Sequence, residues 1–140
     1  IYNFLNYENY DYFLLVNACM PLLHEKTIYN FLNKCKKIKR PCFAVYNNNN
    51  YFISSKNVPY NFKTSLKTIN TKQVDLVKEF AHAFYFFEKK YFIKNKWFWD
   101  WKKVKYLTIP KSEQTFDIDT KNDFEIAKLV YKKFKNKINV

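Results

Sequence analysis

Tyr12-Phe13-Leu14-Leu15-Val16 is the stretch that decides the fold class. Five consecutive apolar residues have the length of a strand and show no alternation, the pattern of a strand covered on both faces in a parallel sheet. Residues 17–21 then turn. Residues 26–38 place Ile28, Phe31, Leu32 and Cys35 on one side at helical spacing, which predicts an amphipathic helix. Its tail, Lys34-Cys35-Lys36-Lys37-Ile38-Lys39-Arg40, puts cations where the helix dipole favours them, and Pro41 stops it. A second apolar run follows, Cys42-Phe43-Ala44-Val45-Tyr46. Strand, helix, strand is a βαβ unit, and such units imply a right-handed crossover and a doubly wound α/β sheet.

The rest of the chain is read around that unit. The run Asn47-Asn48-Asn49-Asn50 is a turn signal, so 43–46 and 51–54 are expected to pair as a hairpin. Residues 56–78 pattern poorly, with Pro59 and many Lys and Thr, and a short helix is expected at about 73–80. Residues 81–87 read as a strand and 91–101 as an aromatic cluster. Short strands are expected at 104–109 and 115–118, with a turn at Pro110 between them. A final helix is expected over 121–135, with Phe124, Ala127, Tyr131 and Phe134 on one face. There is no internal repeat and no second boundary, so 1–140 reads as one domain.

With 48% hydrophobic and 21% aromatic residues, the chain is too apolar for intrinsic disorder. No run approaches the roughly 18 apolar residues of a membrane-spanning helix, and no signal-peptide pattern is present. Cys19, Cys35 and Cys42 are odd in number and lack Cys-x-x-Cys spacing, the usage of free buried thiols in a reducing cytoplasm. The net charge of +13 invites a nucleic-acid role, and Phe92 to Lys103 interleaves rings with cations. Against it, Arg40 is the only arginine, and lysine lacks the planar fork that reads bases and phosphates. An A+T-rich coding bias would also enrich Lys, Asn, Tyr, Phe and Ile. Nucleic acid and membrane are therefore not expected partners.

The chemistry-bearing segment is Phe116-Asp117-Ile118-Asp119-Thr120-Lys121-Asn122-Asp123-Phe124-Glu125-Ile126-Ala127. In an extended segment Asp117 and Asp119 project to one face. Two adjacent carboxylates need a cation, a donor or a proton, and Mg²⁺ suits them because it takes carboxylates and keeps positions for phosphates. The same residues also fit a capping role, with Thr120 and Asp123 spaced as a capping box. Both readings stand.

This segment resembles the C-terminal signature of the acylneuraminate cytidylyltransferase family, in which an Asp-x-Asp-Thr element before the last helix holds the catalytic magnesium. Asp11 to Leu23 is similar to the family's buried strand, polar exit and Pro-Leu turn, and Thr27 to Leu32 to the helix that follows. Ala81-His82-Ala83-Phe84-Tyr85-Phe86-Phe87 is a weaker match to a strand carrying a Tyr-apolar pair. Together the matches extend from about Tyr10 to the end.

The resemblance implies a partial doubly wound, Rossmann-like nucleotidyltransferase sheet with a protruding middle arm that makes a dimer. It implies CTP-dependent activation of an acidic nine-carbon, sialic acid-like sugar as its CMP derivative, for surface polysaccharide or glycoconjugate synthesis. Asp117 and Asp119 would hold Mg²⁺, Asn17 would face the ligand crevice, and His82 and Tyr85 would line the sugar side. Partners would be CTP, the sugar, and a second copy or an intact homologue.

The departures are specific. The family wraps the CTP phosphates with a glycine-rich basic loop, and this chain contains no glycine. Asn17 stands where the family has Gln, and Cys19-Met20 where it has Thr-Ser. The chain is accordingly expected to be the C-terminal part of such a domain, or a non-catalytic remnant serving as a dimerisation or binding module. A Cys19–His82 nucleophilic pair and a sugar-stacking role for the Trp97-Phe98-Trp99-Asp100-Trp101 cluster are further candidates; core or interface is the competing role of the cluster.

Overall fold

A computed structural model describes residues 1–65, 67, 70–112 and 115–138, the last five as helix backbone. Helix α1 (Tyr2–Tyr7) leads into strand β1 (Tyr12–Val16), helix α2 (Glu25–Ile38) and strand β2 (Cys42–Asn48). A 3₁₀ turn (Thr71–Gln73) precedes the long strand β3 (Val77–Glu88). Helix α3 (Lys89–Asn95), strand β4 (Lys105–Thr108) and helix α4 (Lys121–Ile138) complete the order.

The four strands form one open mixed sheet in the order β1-β3-β2-β4. β1 and β2 both pair antiparallel with β3, and β4 pairs parallel with β2. The expected strand–helix–strand unit is present, but its two strands are not neighbours: β3 lies between them. β1 is consequently an edge strand with an antiparallel partner, not an interior strand of a parallel sheet. The physical reason is that an apolar run specifies burial and leaves partner and direction open.

Three local expectations are also corrected. The 43–46/51–54 hairpin does not form, because β2 continues through Asn48 against β3, pairing Asn47 with Lys78 and Asn48 with Val77. The middle segment is tied by Asn61 instead. Its buried amide accepts from Phe52 N and donates to Asn50 O and Asp75 O, each at 2.9 Å. The helix expected at 73–80 is a 3₁₀ turn followed by the start of β3. Residues 115–118 join no ladder among the described residues.

Two cores flank the sheet. On one face α2 lays Phe31 and Cys35 against Phe84, Ala44 and Tyr46, with the Phe31 and Phe84 rings 4.8 Å apart. Strand alternation sends Phe43 and Val45 to the other face, where Trp99, Val104 and the rings of Tyr85 and Phe98 cover them. Cys35 and Cys42 are both buried; contact with Cys42, then burial, pushes the Cys35 thiol far up, so it packs as a neutral apolar group. Cys19 is exposed, unlike the expectation for it. α4 buries Ala127, but Phe124 and Tyr131 stay exposed, so the face expected to enter the core is largely unpartnered; the Phe134 side chain lies outside the described residues. No described helix is long and apolar enough to cross a membrane.

A glycine-free chain must place other residues in left-handed backbone. Lys39 (φ 51) closes α2 and Lys96 (φ 55) closes α3, positions usually given to glycine, and Asn57 (φ 59) and His82 (φ 51) are the remaining cases. Such a conformation costs a non-glycine residue about 1–2 kcal/mol. Lys39→Gly is therefore expected to raise stability by about 1 kcal/mol, read as a higher urea midpoint at unchanged slope. No rise would mean that the α2 terminus carries no strain.

Candidate functional site

The end of β1, the middle of β3 and the segment before α4 converge. Asn17 N donates to Ala83 O at 3.0 Å, which sets the exit of β1 beside β3. Asn17 Oδ1 accepts from Cys19 N at 2.9 Å, closing the turn that Asn residues favour. Ile118 N then donates to Cys19 O at 2.9 Å. Through that bond the Asp117–Asp119 segment is moored to the β1 exit, across about a hundred residues of sequence. The structure thus brings Asn17, the His82 region and Asp117 to one end of the sheet.

At this place β3 is irregular. β2 advances from Phe43 to Val45 while β3 advances from Tyr85 to Phe80, so β3 carries a wide bulge. His82 sits in it with φ 51, a conformation that costs a non-glycine residue free energy and recurs at functional positions. Its Nδ1 lies 2.9 Å from Tyr85 Oη. Burial, and then the charge of Asp117, push the Tyr85 phenol up; which of the two groups donates in this bond follows the His82 tautomer. His82 is engaged with Tyr85 and with the rings of Phe43 and Phe80; among the described residues no hydrogen bond joins it to Cys19.

Asp117 is half-buried, and its Oδ1 is fully enclosed with no hydrogen-bond partner among the described residues. Its charge also bears on Tyr46, whose hydroxyl is pushed up first by burial. Tyr46 was not legible as a site residue, since its position at the end of an apolar strand reads as core. Asp119 is exposed. The two carboxylates therefore differ in setting, one enclosed and one at the surface.

The capping reading is realised next to them. Asp123 Oδ2 accepts from Thr120 N (2.8 Å) and Thr120 Oγ1 (2.7 Å), and Asp123 N donates back to Thr120 Oγ1 (3.2 Å). The Thr120 hydroxyl and amide hold the Asp123 carboxyl below its usual range. A group whose folded pKa is depressed stabilises above its unfolded pKa and loses that contribution as pH falls through the folded value. Thr120→Ala is expected to lower stability near neutrality, through loss of the helix cap. The difference from wild type should shrink in acid, below the normal carboxylate pKa, and a pH-independent difference in urea midpoint would contradict the pairing.

Capping is thus the work of Thr120 and Asp123, which leaves Asp117 and Asp119 unused by it apart from the Asp119 amide, 3.3 Å from Asp123 Oδ2. Compared with protein-family models and with curated proteins, the chain matches none. Chemistry alone must then be asked what fits. Among the described residues no three His, Cys, Asp or Glu side chains group as a metal cage. Mg²⁺ needs no such cage, since one or two carboxylates plus water and substrate phosphates satisfy it. An enclosed carboxylate oxygen without a donor is the feature such an ion would satisfy. The cavity of about 430 Å³ lined by Thr27, Phe31 and Pro110 and that of about 490 Å³ lined by Tyr60, Phe80 and Tyr106 do not include Asp117.

Proposed function

We propose that the chain is a cytidylyltransferase-like domain whose Asp117 and Asp119 hold Mg²⁺ for nucleotidyl transfer from CTP to an acidic nine-carbon sugar. The observation that carries this reading is the enclosed Oδ1 of Asp117, without a hydrogen-bond partner among the described residues and moored beside the exit of β1. Bound there, Mg²⁺ would supply charge neutralisation at the phosphates. The chain's own groups do the rest. Asn17 spends its carbonyl on the turn, so its amide NH₂ is the group left to orient a ligand. Tyr85 and His82 form a hydrogen-bonded pair that can position a sugar hydroxyl.

Glycine is missing throughout, so nothing in these 140 residues supplies the close backbone cradle that triphosphates use. The chain alone is accordingly expected to bind the ion but to release no pyrophosphate from CTP and a sialic acid-like sugar, followed by a coupled phosphate assay. Pyrophosphate release would overturn the reading of an incomplete domain. If that release also survived Asp119→Asn, the metal assignment would fall with it.

A second reading, a dimerisation module without catalysis, is favoured by the edge of the sheet. Asp11 O and Asn17 N bond to β3, so the intervening Tyr12, Leu14 and Val16 turn their amides and carbonyls to the open side. An unpaired apolar edge accepts another strand. A second copy added there doubles the mass seen by light scattering, and a proline at Leu14 returns it to the monomer.

A further inference from the structure

The sheet face that α2 does not cover carries a row of half-exposed rings. Phe80 on β3 is 40% exposed, Trp101 after α3 is 49%, and Tyr106 on β4 is 37%. These three are not scattered. The Phe80 and Trp101 rings lie 5.9 Å apart at 20°, and those of Phe80 and Tyr106 lie 6.3 Å apart at 29°, so the ring planes run nearly parallel. Trp97 extends the row, 6.2 Å from Trp101. The chain has buried Trp99 completely a few ångströms away, so apolar cover was within reach of this face and was not used.

Cations border the rings. Lys78 places its Nζ 5.9 Å over the Tyr106 ring, and the turn carrying Trp101 continues into the exposed Lys102 and Lys103. None of the three takes part in an ion pair among the described residues. Nearby carboxylates include Asp100, whose Oδ1 caps the amide of Lys102, and Asp75 at the rim of the 490 Å³ cavity beside Phe80 and Tyr106.

We propose that this face binds single-stranded nucleic acid, with bases stacking on Phe80, Trp101 and Tyr106 and phosphates meeting Lys78, Lys102 and Lys103. A nucleotide repeats one flat π-face and one negative charge, and the surface repeats rings and cations to match. A second copy fits poorly, because a self-paired face would set these lysines against one another in a chain already at +13. The scarcity of arginine, which argues against base reading in a duplex groove, does not bear on this mode. Stacking and backbone neutralisation need neither a planar fork nor a recognition helix. The inference is independent of the proposed enzymatic role, and binding in EDTA keeps the two apart.

The test is fluorescence anisotropy of labelled oligo(dT) and oligo(U) with the whole chain, across a salt series and with duplex DNA and heparin as competitors. Binding is expected to weaken with salt, to prefer the single strands over duplex, and to quench tryptophan fluorescence. The Phe80→Leu/Trp101→Leu variant keeps apolar cover but loses the π-faces. It should bind at least about tenfold more weakly at an unchanged salt slope. Lys78→Gln/Lys103→Gln should instead flatten the slope. Equal binding by the leucine variant, or full displacement by heparin with no preference for single strands, would reduce the face to a generic polyanion attractor and overturn the proposal. So would no binding, or a dimer by light scattering that the leucine variant abolishes.

Discussion

Phe43→Ala is expected to destabilise the protein by about 3–5 kcal/mol, the cost of truncating a buried aromatic ring. Phe43 is 1% exposed and its ring meets Phe80, His82, Tyr85 and Trp99, with centroids 4.4, 5.9, 5.0 and 4.9 Å away. It sits where β2 faces the bulge of β3, so its loss removes the packing that holds His82 in left-handed backbone. Against a typical total of about 5–15 kcal/mol, such a loss leaves the variant marginal. Chemical denaturation with tryptophan fluorescence measures it. Trp99→Phe should cost less, because it keeps a six-membered ring and deletes an indole N–H that is buried without a partner among the described residues. A Phe43→Ala cost below about 1 kcal/mol would mean the second core is loosely packed.

The elements that sequence reading recovers are those whose signal is local. β1, α2, β4 and α4 follow from apolar runs, from Ile28, Phe31, Leu32 and Cys35 at helical spacing, and from the Thr120–Asp123 pair that caps α4. What it misses is decided by partners far along the chain. Nothing in Tyr12 to Val16 says that β3 will pair with it antiparallel, and nothing in Asn47-Asn48 says that β2 will run on against Val77 and Lys78. The short helix α1 carries little pattern of its own and is held by the burial of Leu5.

The site divides the same way. Asp117 and Asp119 stand out in sequence as two carboxylates on one face before a helix, a pattern that capping also explains and that the family resemblance turns toward metal binding. That Asp117 is enclosed and bears on Tyr46 and Tyr85 requires the Ile118–Cys19 bond, which no spacing encodes. Of the exposed aromatic face, only the stretch from Trp97 to Lys103 stands out in sequence, as rings interleaved with cations; that Phe80 and Tyr106 join it depends on strands from separate segments.

Asp117→Asn is the second large effect, and it concerns binding more than folding. Without a divalent ion, the substitution removes a carboxylate that has one oxygen enclosed and, among the described residues, unpaired, so stability should hold or rise. With the ion, only the wild type gains. Mg²⁺ at a hundredfold excess over its dissociation constant adds about 2.7 kcal/mol, several degrees in Tm for a chain of this length. Thermal melts of both proteins in EDTA and in MgCl₂, with KCl at matched ionic strength as the control, read this directly. The account predicts that Mg²⁺ raises the wild-type Tm beyond the KCl control and leaves Asp117→Asn unmoved; an unmoved wild type, or an equal shift in the variant, would contradict it.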